Sequence, residues 1–135
     1  MGIVTEIKDW RSPGPGLFYH LTDPQLRSRQ EPEKGVFIAE GPKVVLSALD
    51  AGLEPVSLLM RKKFIDGPGA PLIGRCGEIP VYTAEDEALA ALTGFRLQRS
   101  WVLGAFRRPA PRSAEEALSG ARRVALLEEI GRAHV

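Results

Sequence analysis

The chain predicts an α/β sandwich built on a largely parallel sheet, and three observations carry that prediction. Short apolar runs with strand character alternate with segments whose apolar residues recur at helical spacing. Helix start and stop residues punctuate the alternation. The length of 135 residues, with 44% apolar and 26% charged, matches one ordinary folded domain rather than a disordered chain.

Ser12-Pro-Gly-Pro-Gly16 suits neither helix nor central strand, so residues 1–16 read as a flexible arm. Asp23-Pro24 offers an N-cap and a first-turn proline for a short basic helix carrying Arg27 and Arg29, ended by Glu31-Pro32. Val36-Phe37-Ile38-Ala39 reads as a buried strand. Glu40-Gly41-Pro42 turns the chain into a helix whose Val45, Leu46, Ala48 and Leu49 share a face, with Gly52 as its stop. Pro55–Met60 is a second strand, Phe64–Gly69 a turn-rich stretch, and Leu72–Cys76 a short helix. Ile79-Pro80-Val81-Tyr82 is a third strand, with proline tolerated at its beginning.

Thr83-Ala-Glu-Asp86 approximates a capping box for a helix through Leu89 and Leu92, stopped at Gly94. Trp101–Phe106 is a fourth strand, Ser113-Ala-Glu-Glu116 a second capping box, and Val124–Leu127 the opening of a further strand. Arg107–Ser113, with two prolines and three arginines, reads as a linker. No apolar run approaches a membrane span, and the N-terminus lacks a secretory h-region, which places the protein in the cytoplasm.

Cys76 is the single cysteine, which excludes an intramolecular disulfide and a cysteine-cluster metal site. The histidines are His20 and His134, so a Cys–His enzyme requires Cys76 and His20 to meet in space. The bland alternative for Cys76 is a small buried hydrophobe. Gly67-Pro68-Gly69 matches neither a P-loop nor a dinucleotide fingerprint. No catalytic constellation is visible.

The net charge of +1 hides an arrangement. Arg96, Arg99, Arg107, Arg108 and Arg112 lie in a stretch without acids, and Arg61-Lys62-Lys63 forms a second basic knot. Such patches suit a phosphate backbone, or equally a solvated loop. Lys43 stands in a helix first turn, where a cation opposes the helix dipole, so it reaches toward an anion or pairs with Glu40. Trp101 and Tyr82 are the aromatic candidates for base stacking, with a core role as the alternative. Arg27, Arg29 and Lys43 are the leading RNA-contact candidates, followed by Arg61 and Lys62.

Phe37-Ile38-Ala39-Glu40-Gly41, followed by Val44, Val45 and Gly52, resembles the N-terminal substrate-binding domain of SpoU-type RNA 2′-O-ribose methyltransferases, the TrmH-like branch of the SPOUT superfamily. Leu26-Arg27-Ser28-Arg29, the Leu58-Leu59 strand, Ile79–Tyr82, Leu92-Thr93-Gly94-Phe95 and Trp101–Arg108 follow in the order of that domain, and the resemblance covers about residues 18–128. It implies a small α/β/α sandwich similar to ribosomal proteins that bind kinked RNA, joined to a knotted methyltransferase domain. There S-adenosylmethionine binds and a 2′-hydroxyl of rRNA or tRNA is methylated, in a homodimer formed through that second domain.

On this resemblance residues 17–106 form the RNA-binding domain, 107–113 the linker and 114–129 the opening of the catalytic domain. The family motif Asn-x-Gly-x-x-x-Arg is expected just after Val124–Glu128, but Ile130-Gly-Arg-Ala-His-Val135 stands there. A common sequencing adapter, read in one frame, encodes those six residues before a stop. They read as an adapter-derived tail, and His134 is set aside with them. The expectation is an inactive fragment with no catalytic residue and no bound cofactor, cut from an S-adenosylmethionine-dependent parent. The rival reading is a stand-alone RNA-binding module.

Overall fold

A computed structural model describes residues 3–8, 17–18, 35–94, 97, 100–126 and 128. The strands are β1 (Ile3–Glu6), β2 (Val36–Glu40), β3 (Pro55–Arg61), β4 (Pro80–Ala84) and β5 (Val102–Arg107). The helices are α1 (Pro42–Asp50), α2 (Gly69–Cys76), α3 (Asp86–Thr93) and α4 (Ala114–Leu118), with a 3₁₀ turn at Lys62–Phe64. The strands make one sheet in the order β1-β4-β3-β5-β2. β1, β4 and β3 pair in parallel, whereas β5 is antiparallel to both β3 and β2. Four strands therefore point one way and β5 runs against them, which is the largely parallel α/β fold expected.

Period-two alternation sorts the strand side chains onto two faces. Ala39, Leu58, Met60, Val81, Val102 and Phe106 meet Val45 and Ala48 of α1 and Leu72, Ile73 and Cys76 of α2. Ile38, Leu59, Leu103 and Ala105 meet Leu89 and Leu92 of α3 on the other face, together with Ile7, Phe18 and Leu97. A helix layer on each face covers the central strands, and β3 reads as a continuous apolar run for that reason. Between Pro55 and Ser57 the β3–β5 register shifts, a bulge that reorients the start of β3.

The local signals hold at several ends. α1 stops where Gly52 N–H reaches Leu49 O at 3.0 Å and Leu53 N–H reaches Ala48 O at 3.1 Å. Ser113 caps α4, its Oγ accepting from Glu116 N–H at 3.2 Å. Other expectations are corrected. The arm read over 1–16 contains β1, because Ile3-Val4-Thr5 has β-branched residues and finds the open edge of β4, in register Ile3↔Pro80 to Glu6↔Thr83.

Thr83 is not a helix cap: it lies inside β4, and Glu85 is the N-cap residue of α3, without a side-chain cap bond. α2 begins at Gly69 rather than Leu72. The strand expected at Val124–Leu127 is absent among the described residues. Val124 and Leu126 are exposed, with no neighbouring strand to hold an extended backbone. The basic helix of Arg27 and Arg29 lies outside the described residues, as do His20 and the tail 130–135.

Candidate nucleic-acid interface

Because β2 and β3 both oppose β5, they end at the same edge of the sheet, where β5 begins. The parallel strands β4 and β1 finish at that edge too. Loops after the carboxyl ends of parallel strands are the usual place for a ligand in such folds. Gly41 N–H donates to Val102 O at 2.9 Å on one side of β5, and Arg61 N–H donates to Trp101 O at 3.0 Å on the other. The turn into α1 and the turn after β3 thus flank Trp101.

Three of the five predicted contact residues lie at this edge: Lys43 in the first turn of α1, Arg61 as the last residue of β3 and Lys62 directly after it. Arg27 and Arg29 lie outside the described residues. Arg61 forms a bidentate pair with Asp86, Nε to Oδ1 at 2.8 Å and Nη2 to Oδ2 at 2.7 Å. This hydrogen-bonded carboxylate, opposed by partial burial, raises the guanidinium pKa further. Lys62 Nζ bridges Glu6 at 3.2 Å and Glu85 at 3.4 Å, which raises its pKa, Glu6 contributing most. One ammonium therefore ties the end of β1 to the start of α3.

The basic knot is consequently less basic than its sequence implies. Glu85 and Asp86, which read as helix first-turn acids, are also the counter-ions of Lys62 and Arg61. Lys43 and Lys63 make no ion pair among the described residues, so the Lys43–Glu40 pair considered from sequence does not form. Farther along, Arg107 pairs with Glu54 at 3.1 Å and Arg75 with Asp50 at 2.8 Å. If the Arg61–Asp86 fork is a true two-point contact, Arg61→Met and Asp86→Asn should couple by about 1 kcal/mol in a double-mutant cycle of urea stability, less at high salt. Additive effects at low salt would deny the fork an energetic role.

Sequence reasoning missed the partner of Trp101. Phe64 stacks on it with ring centroids 4.9 Å apart and planes inclined by 11°. Arg61 Cζ and Lys63 Nζ each lie 5.3 Å from the Phe64 centroid. The only local signal was an aromatic directly after the basic knot. Tyr82 instead packs against the core on the α3 face. Cys76 is buried in α2, and burial pushes its thiol pKa up, the opposite of an activated nucleophile. Among the described residues no group of three or more His, Cys, Asp or Glu could hold a metal ion. No described helix is long and apolar enough to cross a membrane.

No protein-family profile matches the chain, and no curated protein matches it. Solved structures do. An AdoMet-bound rRNA methyltransferase from Sinorhizobium meliloti is 24% identical with a TM-score of 0.56, and the match covers 80% of this chain and 38% of that one. A second crystal structure of an rRNA methyltransferase from the same organism matches equally. An RNA 2′-O ribose methyltransferase is 17% identical with a TM-score of 0.57, over 86% of this chain and 40% of that one. At these identities the likeness is one of fold, and the chain spans about two fifths of the length of those it matches.

Proposed function

We propose that this chain is the RNA-binding part of a SpoU-type, TrmH-like RNA methyltransferase, whose whole protein methylates a ribose 2′-oxygen of rRNA or tRNA in the cytoplasm. The observation that carries the reading is the shared fold: most of this chain superposes on part of proteins described as rRNA and RNA 2′-O ribose methyltransferases. The order of elements around Glu40-Gly41 supports it from the sequence side. Lys43, Arg61 and Lys62, with Arg27 and Arg29, are the phosphate contacts in this reading. Arg61 and Lys62 engage RNA by exchanging their carboxylate partners for phosphates.

S-adenosylmethionine is the methyl donor of the proposed whole protein. The described residues of this chain do not suit it. At the strand ends Asp86, Glu85 and Glu6 are bound to Arg61 and Lys62, so these carboxylates are already engaged and do not present themselves to the ribose or the sulfonium of the donor. Donor binding, methyl transfer and homodimer contacts are assigned to a methyltransferase domain that residues 114–129 open, after the linker read at 107–113, whose first residue, Arg107, is in fact the last of β5. No catalytic step is assigned to the described residues.

The test is fluorescence anisotropy with rRNA and tRNA transcripts across a salt series. The chain should bind, with log affinity falling linearly in log salt. Replacing Arg27, Arg29 and Lys43 together by alanine should weaken binding about tenfold or more and flatten the slope by about 0.7–0.9 for each phosphate left without its cation. An unchanged slope would remove these three from the interface. Tritiated methyl transfer by this chain alone would overturn the assignment of catalysis elsewhere.

A further inference from the structure

The Phe64–Trp101 pair is built differently from the ring stack inside the sheet. Phe106, stacked on Phe37, is fully buried. Phe64 and Trp101 are only partly buried against the α1/α2 core, and exposed Lys63 lies over the Phe64 ring. Two cations converge on one ring at 5.3 Å, and they differ in kind. Arg61 is bound by Asp86 in the free chain. Lys63 has no ion pair among the described residues, so its charge is available.

We propose that Trp101 and Phe64 form a stacking platform for one unpaired nucleotide of RNA, with Lys63 taking its phosphate. The assignment rests on the RNA-binding reading above and names the element it recognises. A ring surface beside an uncompensated ammonium matches a ligand that is flat and π-rich on one side and anionic on the other. A base with its phosphate has both properties, and a fully paired duplex hides its base faces. The platform also sits at the strand-end edge, between the turn carrying Lys43 and the turn carrying Lys62.

The test uses the full chain in a Trp10→Phe background, leaving Trp101 as the only indole. The probes are a labelled RNA hairpin with an unpaired adenine-containing loop and a blunt duplex of the same stem. The hairpin should quench Trp101 emission saturably and the duplex should not. Trp101→Leu should weaken hairpin binding about tenfold and leave duplex binding unchanged. Should that variant fail to fold, the quenching titration on intact Trp101 decides. Hairpin binding by anisotropy with unchanged Trp101 emission overturns the platform and leaves the RNA-binding reading standing. Equal quenching by the duplex overturns the unpaired-nucleotide assignment. Binding of neither RNA at low salt overturns both.

Discussion

Phe106→Ala should lower unfolding free energy by about 3–5 kcal/mol, the largest effect of any single truncation proposed for this chain. The ring is fully buried and stacks on Phe37 at 5.7 Å, with planes inclined by 19°. It lies along its own strand over Gly104, where an added Cβ would come within 2.8 Å of Phe106 Cε2. β5 is flanked by a strand on both sides, with Phe106 opposite Phe37 and Pro55, so the backbone cannot move in to fill the void. The cost of such a cavity grows with the volume that fails to collapse. Against a total of about 5–15 kcal/mol for a typical domain, the loss takes from about a fifth to all of the stability. Urea titration followed by circular dichroism reads this directly, and a loss under about 1 kcal/mol would show that the α1/α2 core does not depend on the ring. Phe106→Leu, which keeps most of the apolar surface, should lose distinctly less.

Gly41→Ala is the second large effect, about 1–3 kcal/mol, and its origin is the backbone rather than crowding. Gly41 has φ 94° and ψ 157°, a region open to glycine and strained for any L side chain. A Cβ there would meet Ser100 Oγ at 3.5 Å, an ordinary contact. The conformation is held from both ends, because Gly41 N–H donates to Val102 O and Gly41 O accepts from Val45 N–H at 3.0 Å. Relieving the strain means giving up the tie to β5 or the first bond of α1, and either would displace Lys43. Under the function proposed above, the variant should lose RNA affinity along with stability. Gly74→Ala is the control of opposite sign. Gly74 is inside α2 with nothing within 4 Å of an added Cβ, so alanine should stabilise by about 0.5–1 kcal/mol. Equal behaviour of the two variants in thermal melts would refute the backbone argument.

Much of the fold was legible because its signals are local. Apolar spacing in Val45, Ala48 and Leu49 identified α1, and the β-branched and leucine-rich run before Met60 identified β3. Ser113 capped its helix as its pattern implied. Errors arose where a local pattern had a non-local competitor. Thr83 has a capping spacing, but pairing with Met60 and Glu6 keeps it in β4. Ile3–Glu6 looked like arm because its partner is about eighty residues away, at Pro80–Thr83. Val124–Leu127 has strand composition, and composition alone does not supply a ladder. The site followed the same division. Arg61 and Lys62 were recognisable as a basic knot, whereas their neutralisation by Asp86, Glu6 and Glu85 depends on how three strands end together.

By itself the sequence determined that β2 to β5 are strands and α1 to α4 helices, to within a few residues at their ends, since side-chain periodicity and turn chemistry act within a few residues. It also determined that Cys76 has no partner for a disulfide and that basic residues follow β3. Only the tertiary structure decided that β5 enters the sheet against its neighbours, that β1 completes the edge at β4, and that Phe64 lies on Trp101. These depend on contacts between distant parts of the chain, whose free energy is gained only after loops close and both helix layers pack. The α/β class was thus written in local pattern. The grouping of basic and aromatic side chains at the strand ends was set by which ends the packed sheet brought to one edge.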